Sequence, residues 1–169
     1  ARQVGRRAAA QPRRRRHGRR RHVSAERADP GAGRLFLAAP LTDAVRGEIA
    51  AHISRHLGAR GLPGRVVAPG NWHLTLRFLG DTTRSQHERL RTGLAGADLG
   101  AAFELAFARL GAFPDPARAR VLWIATAEGS DALRALAARV EAIVAAAGFA
   151  PEARPFAAHL TLSRLRPEA

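Results

Sequence analysis

The stretch Asn71-Trp72-His73-Leu74-Thr75-Leu76-Arg77-Phe78-Leu79-Gly80 decides how this chain is read, because its centre occurs twice. His-Leu-Thr-Leu stands at 73–76 and again at 159–162, an offset of 86 residues (159 less 73). With 7 His, 19 Leu and 7 Thr in 169 residues, composition alone predicts roughly 0.004 copies of such a tetrapeptide, so the pair marks an internal repeat. The same offset lays Arg34 on Arg120, the apolar run 35–39 on 121–125, and Leu79 on Leu165. Each half then reads as strand, helix, loop and motif strand. That order predicts an α+β fold of two pseudo-symmetric lobes, each an antiparallel sheet with helices outside, around a central cleft.

Element signals run outward from the motif. Residues 34–39 form a buried strand ending at Pro40. Thr42 and Asp43 cap a helix over 43–57 that Gly58 ends, with Val45, Ile49, Ile53 and Leu57 near helical spacing. A short strand at Val66-Val67 interrupts the loop 61–70. Strands are expected at 71–80, 103–110, 121–125 and 156–165, and helices at 84–95 and 130–147. Ser130 is expected to cap the last helix, whose apolar face carries Leu133, Leu136, Val140, Ile143 and Val144. Phe113-Pro114-Asp115-Pro116 reads as a turn.

Strand alternation gives the motif its chemistry. With period 2, His73, Thr75 and Arg77 share one face, and Leu74, Leu76 and Phe78 the other. His159, Thr161 and Ser163 likewise oppose Leu160 and Leu162. Each strand therefore buries leucines and presents a His-Thr pair. If the lobes are related by a pseudo-twofold, both pairs face one cleft. Two imidazoles across a substrate suit paired acid and base work near neutral pH. Two threonine hydroxyls can bond the non-bridging oxygens of a phosphate. Arg120 and Arg164, close to the motif strands, are candidate phosphate contacts. A lone His-Leu-Thr-Leu is most often an ordinary half-buried strand; the matched repeat is what lifts this pair above that reading. Zinc is the rival use of two histidines, but it takes three or four ligands, and neither HExxH nor a Cys pair is present. No metal and no cofactor are therefore expected. His52 and His56 stand i, i+4 on a helix with no third ligand in view, and Trp72 and Phe156 read first as core aromatics.

Composition narrows the classes further. The chain has no Cys, Met or Tyr, and its 28 basic residues are all Arg. Disulfide frameworks, thiolate metal sites, Schiff-base lysines and P-loop lysines are thereby excluded. No run reaches the ~18 apolar residues of a membrane span. Of the net charge of +14, residues 1–33 carry +9, from 11 Arg against Glu26 and Asp29; residues 34–169 carry +5, from 17 Arg against 12 acids. The first segment has too few apolar residues to offset its ordering entropy and is expected to be a disordered basic arm. Its bland role is a solvated tail; its sharper role is non-specific RNA contact through phosphates. It lacks the apolar core of a secretion signal, so cytoplasmic residence is expected.

The motifs in "NWHLTLRFLG" and "PFAAHLTLSRLR", with "RLFLAAPL" and "ARVLWIA" ahead of them, resemble the 2H phosphoesterase superfamily. Within it they are similar to the LigT-like RNA 2′,3′-cyclic phosphodiesterases, historically called 2′-5′ RNA ligases. The resemblance spans residues 34 to about 166. It implies a bilobal α+β fold and metal-independent hydrolysis of 2′,3′-cyclic phosphate ends of RNA or nucleotides to 2′-phosphomonoesters, with reverse 2′-5′ ligation as a related reaction. It implies His73 as proton donor, His159 as proton acceptor, and Thr75, Thr161 and Arg164 as phosphate holders. The motif pattern is itself symmetric and does not choose donor from acceptor. A monomeric enzyme without membrane contact is expected. The alternatives are a catalytically impaired RNA-binding module and a 2H phosphoesterase acting on another cyclic phosphate. Two departures from the family stand out: the arginine arm, and a chain that stops seven residues after Leu162, which suggests a C-terminally incomplete domain with a motif strand exposed at a sheet edge.

Overall fold

The computed structural model describes residues 31–166; the arginine arm therefore lies almost wholly outside the described residues. The elements run β1 (Gly31–Pro40), α1 (Asp43–Leu57), β2 (Arg65–Val66), β3 (His73–Thr83), α2 (Arg84–Ala95), β4 (Phe107–Phe113), β5 (Val121–Thr126), α3 (Ser130–Ala146) and β6 (His159–Arg164). All strand pairs are antiparallel, in the order β1-β3-β6-β5-β4, with β2 also on β6. The α+β class read from the repeat holds, with β1 and β3 on one side and β6, β5 and β4 on the other.

The two halves meet at the motif. Between β3 and β6 the sheet pairing is Leu74 with Leu160, and these residues are equivalent in the repeat. In an antiparallel pair, a local twofold axis passes between opposed residues. The duplication axis therefore runs between Leu74 and Leu160, the second residue of each tetrapeptide. On the far side of a short helical turn, Pro69–Asn71, β2 and Val67 continue along the same edge of β6, Val67 N–H donating to the Leu162 carbonyl. β6 thus has neighbours on both sides. β3 beyond Leu74 pairs with β1 alone.

One helical layer covers the leucine face. Trp72, Leu74, Leu133, Leu160 and Leu162 form the first core, with Ile49, Ala50 and Ile53 of α1 packed against it. Leu90 of α2 and Val140, Val144 and Ala147 in and after α3 form the second, closing over Leu37, Leu76 and Leu79. Trp72 is buried and its indole N–H donates to the Val67 carbonyl at 2.9 Å. It is a core residue, as its apolar bulk suggested.

The local signals mostly place these elements. Thr42 caps α1 by accepting from Val45 N–H, and Thr83 with Gln86 forms a reciprocal capping box on α2. Several boundaries differ; β3 lies at 73–83, not 71–80, and β2 at 65–66, not 66–67. β1 begins at Gly31, inside the expected arm, because β3 runs on to Thr83 and supplies a partner. β4 lies at 107–113, not 103–110. Its position is set across the sheet, where Gly111 faces Trp123 and Phe113 faces Val121. β6 is shorter than 156–165. The cap of α3 is Gly129 in the left-handed region, so Ser130 falls inside the helix, and its hydroxyl donates back to the carbonyls of Thr126 and Ala127.

Both motif strands carry a β-bulge at the same place. Ala38 faces Thr75 and Leu37 faces Arg77, so Leu76 is the extra residue; Trp123 faces Thr161 and Leu122 faces Ser163, so Leu162 is the extra one. On both sides of the bulges the outer strands superpose with an offset of 85, Ala39 on Ile124, and not the 86 that aligned them by sequence. A bulge resets the alternation of faces. Arg77 accordingly turns to the helices, where its Nε donates to Glu141 at 2.6 Å, one of its terminal nitrogens reaches Glu152, and the other donates to the Ala150 carbonyl. Ser163 is buried and donates to the Pro63 carbonyl. Phe78 takes the opposite face and is exposed. Strict alternation had Arg77 and Ser163 beside the histidines; the bulges remove both.

Arg77 is the main polar tie between β3 and the C-terminal end of α3, its side chain only 11% exposed. A hydrogen bond from Arg154 is the first cause holding the Glu152 carboxyl below its ordinary pKa, with Arg77 adding a smaller attraction. Arg77→Met leaves two half-buried carboxylates without this cation. The expected loss is about 2 kcal/mol, reduced from the fully buried case because both acids retain water contact. Urea unfolding with an unchanged slope and a lower midpoint is the check; an unmoved midpoint contradicts it.

Candidate active site

His73 and His159 are the first residues of β3 and β6. Each is held by the backbone two residues before it. His73 Nδ1 lies 2.8 Å from the Asn71 carbonyl, and His159 Nδ1 lies 2.7 Å from the Ala157 carbonyl. A carbonyl can only accept, so each Nδ1 carries the hydrogen and donates it. The neutral ring then holds its lone pair on Nε2, and the charged ring holds a proton there. The twin contact thus fixes one tautomer twice and frees the same nitrogen of each ring for a ligand.

The axis at Leu74 and Leu160 arranges the rest. One residue out from that pair, antiparallel geometry sets His73 opposite Thr161 and Thr75 opposite His159, all on the face away from the leucines. Diagonal neighbours of this kind stand about 7–8 Å apart, a gap that side chains reaching inward can close around one phosphate. Thr75 and Thr161 are half-buried, and among the described residues neither hydroxyl is engaged. The fold therefore brings together the four motif side chains predicted from sequence.

The two predicted arginines differ. Arg164 is exposed, and the bulge at Leu162 turns it from the leucine face to the histidine face, in the place Phe78 occupies in the other half. Arg120 precedes β5 and hydrogen-bonds through its backbone to Phe113 and Leu165. That places it at the end of β5 away from Ala125, which is the residue facing His159.

Aromatic walls that the sequence reading missed flank both rings. Phe36 stacks on His73 with centroids 4.9 Å apart. Phe113 meets His159 edge-on at 5.0 Å, and Trp123 does so at 6.0 Å. Trp123 lies flat on Gly111, where a Cβ would come within 2.3 Å of its ring, so glycine is required there by close approach. The signal was the alternation Phe36, Ala38, Pro40 on β1, legible only once β1 is known to neighbour β3. His52 and His56 stack on each other, and His56 Nδ1 donates to the His52 carbonyl, tying the pair to its own helix. Among the described residues no three His, Cys, Asp or Glu side chains gather, and no helix is long and apolar enough to cross a membrane.

A family model described as LigT like Phosphoesterase matches residues 40–123 and 124–168, one motif in each stretch. The chain is 36% identical over 106 residues to an RNA 2′,3′-cyclic phosphodiesterase of Aeropyrum pernix, covering 63% of this chain and 60% of that one. A protein of the same name from Aquifex aeolicus is 35% identical, covering 70% and 64%. The Archaeoglobus fulgidus protein of that name is 32% identical, covering 79% and 73%. The chain thus spans less than two thirds of the length of the Aeropyrum and Aquifex relatives. Among solved structures, Escherichia coli LigT in apo form superposes with a TM-score of 0.66 at 31% identity, over 81% of this chain and 74% of that one. Thermus thermophilus TT0787 gives 0.64 at 30% identity, over 80% and 76%. With the duplicated motif, the shared fold and a family match over both halves in agreement, this chain belongs to the LigT-like phosphoesterase family.

Proposed function

We propose that this chain hydrolyses 2′,3′-cyclic phosphate ends of RNA to 2′-phosphomonoesters. The observation that carries the reading is the pair of histidines bound identically through Nδ1, each leaving Nε2 for the substrate. The name shared by the curated relatives, RNA 2′,3′-cyclic phosphodiesterase, supports it, as does the solution of E. coli LigT in complex with 3′-AMP and with phosphate.

In this reading His159 Nε2 takes a proton from water as its oxygen attacks phosphorus. The P–O3′ bond breaks on the opposite side, and His73 Nε2–H protonates the departing 3′ oxygen. Thr75 and Thr161 donate to the non-bridging oxygens, and Arg164 neutralises their charge; Arg120 is a more distant contribution to the same field. One imidazole must be neutral and the other charged, so the rate falls on both sides of an optimum pH. The assignment of donor to His73 and acceptor to His159 follows the family. No step requires a metal or cofactor. The arginine arm adds non-specific phosphate contacts to the same RNA, and a single chain acts in the cytoplasm.

An oligonucleotide ending in 2′,3′-cyclic phosphate, incubated with the full chain in EDTA, is expected to give the 2′-phosphate, identified by phosphorus NMR. A 3′-phosphate product, or loss of turnover in chelator, contradicts this.

A further inference from the structure

A cavity of about 510 Å³ opens beside His73, away from the duplication axis, between β1 and the first turn of α1. Phe36, Pro40, Asn71 and His73 line it, and so does Arg46. No carboxylate is among its lining residues. Arg46 is mostly enclosed, its side chain 22% exposed, and its Nε is buried with no acceptor among the described residues. One terminal nitrogen donates to Asp43 at 2.7 Å, but Asp43 is 97% exposed. A carboxylate that open to water contributes little to holding the guanidinium, and an incoming anion can replace it. Packing, more than hydrogen bonding, thus keeps a cation at the wall of a cavity that His73 shares. The Asn71 carbonyl is used by His73, while its side-chain amide is exposed and unengaged among the described residues.

We propose that Arg46 is a specificity-determining residue that grips the phosphodiester on the 5′ side of the terminal nucleotide. This rests on the reading given under Proposed function. The scissile phosphate belongs at the axis, among the four motif side chains. A nucleoside extending from it past His73 carries its next phosphate toward α1. Guanidinium is suited to that group through its fan of donors and permanent charge. Arg46 thereby selects a chain end over a free cyclic mononucleotide.

The test compares 2′,3′-cyclic AMP with the adenosine dinucleotide ending in 2′,3′-cyclic phosphate. For Arg46→Met, the ratio of kcat/KM for dinucleotide over mononucleotide is expected to fall about tenfold, through KM, the scale of one lost charge-assisted contact. Arg46→Lys should recover part of it. An unchanged ratio, or equal loss on both substrates, overturns the inference, since a structural role would affect both alike. Binding of the dinucleotide ending in 2′-phosphate is measured alongside by calorimetry and needs no turnover. If the parent chain turns over neither substrate yet binds this product in an Arg46-dependent way, the hydrolysis reading fails and the Arg46 assignment stands. If turnover is present and binding ignores Arg46, the reverse holds.

Discussion

His73→Ala and His159→Ala each lower turnover of a cyclic-phosphate-ended RNA by about 10²–10⁴-fold, the range of a positioned general acid or base. The two act on one displacement, so the double variant loses far less than the product of the single losses. Both rings sit at the starts of their strands, on the face away from the leucine core. Thermal unfolding of the variants should therefore stay close to that of the parent chain. A module that only binds RNA would instead keep its affinity in both variants and show no turnover to lose. Less than tenfold loss in an active chain would place the proton transfers elsewhere.

Leu160→Ala is expected to cost about 3–5 kcal/mol, the upper range for a fully enclosed leucine, because a cavity replaces it where helices and sheet meet. Leu160 has no exposed surface and faces Leu74 at the junction of the two halves. The same substitution should reduce activity, since this pair fixes the spacing of the two motif strands. Leu110→Ala is the control: Leu110 is 63% exposed on β4, and its loss should stay within about 0.5 kcal/mol. Urea midpoints for the two variants check both values; equal shifts would remove the special standing of the junction.

Much of this was legible before any coordinates. The repeated tetrapeptide identified the four side chains that the fold gathers, and alternation correctly assigned His73 and Thr75, or His159 and Thr161, to one face. Alternation failed two residues after each threonine. A bulge depends on how a strand meets its neighbour, and nothing in Leu76-Arg77-Phe78 announces it. For that reason Arg77 was expected beside the histidines, whereas it bridges to Glu141 and Glu152. The same device acts favourably in the second copy, where it returns Arg164 to the histidine face. Ser130 was misplaced for a different reason: a good capping residue stands next to a glycine, and the left-handed backbone at Gly129 starts the helix first. The aromatic walls and Arg46 are tertiary features. They come from β1 and α1 lying beside β3, and from β5 and β4 lying beside β6, neighbourhoods that local sequence does not encode.

In the proposed mechanism two Nε2 atoms address one phosphate from opposite sides. A crystal structure of the chain with uridine 2′-phosphate tests this most directly. The prediction is a single phosphate group with an oxygen within about 2.6–3.2 Å of each Nε2, both Nδ1 atoms still bound to the carbonyls of Asn71 and Ala157. A phosphate touching one imidazole alone, or a ring turned so that Nδ1 faces the ligand, would contradict it.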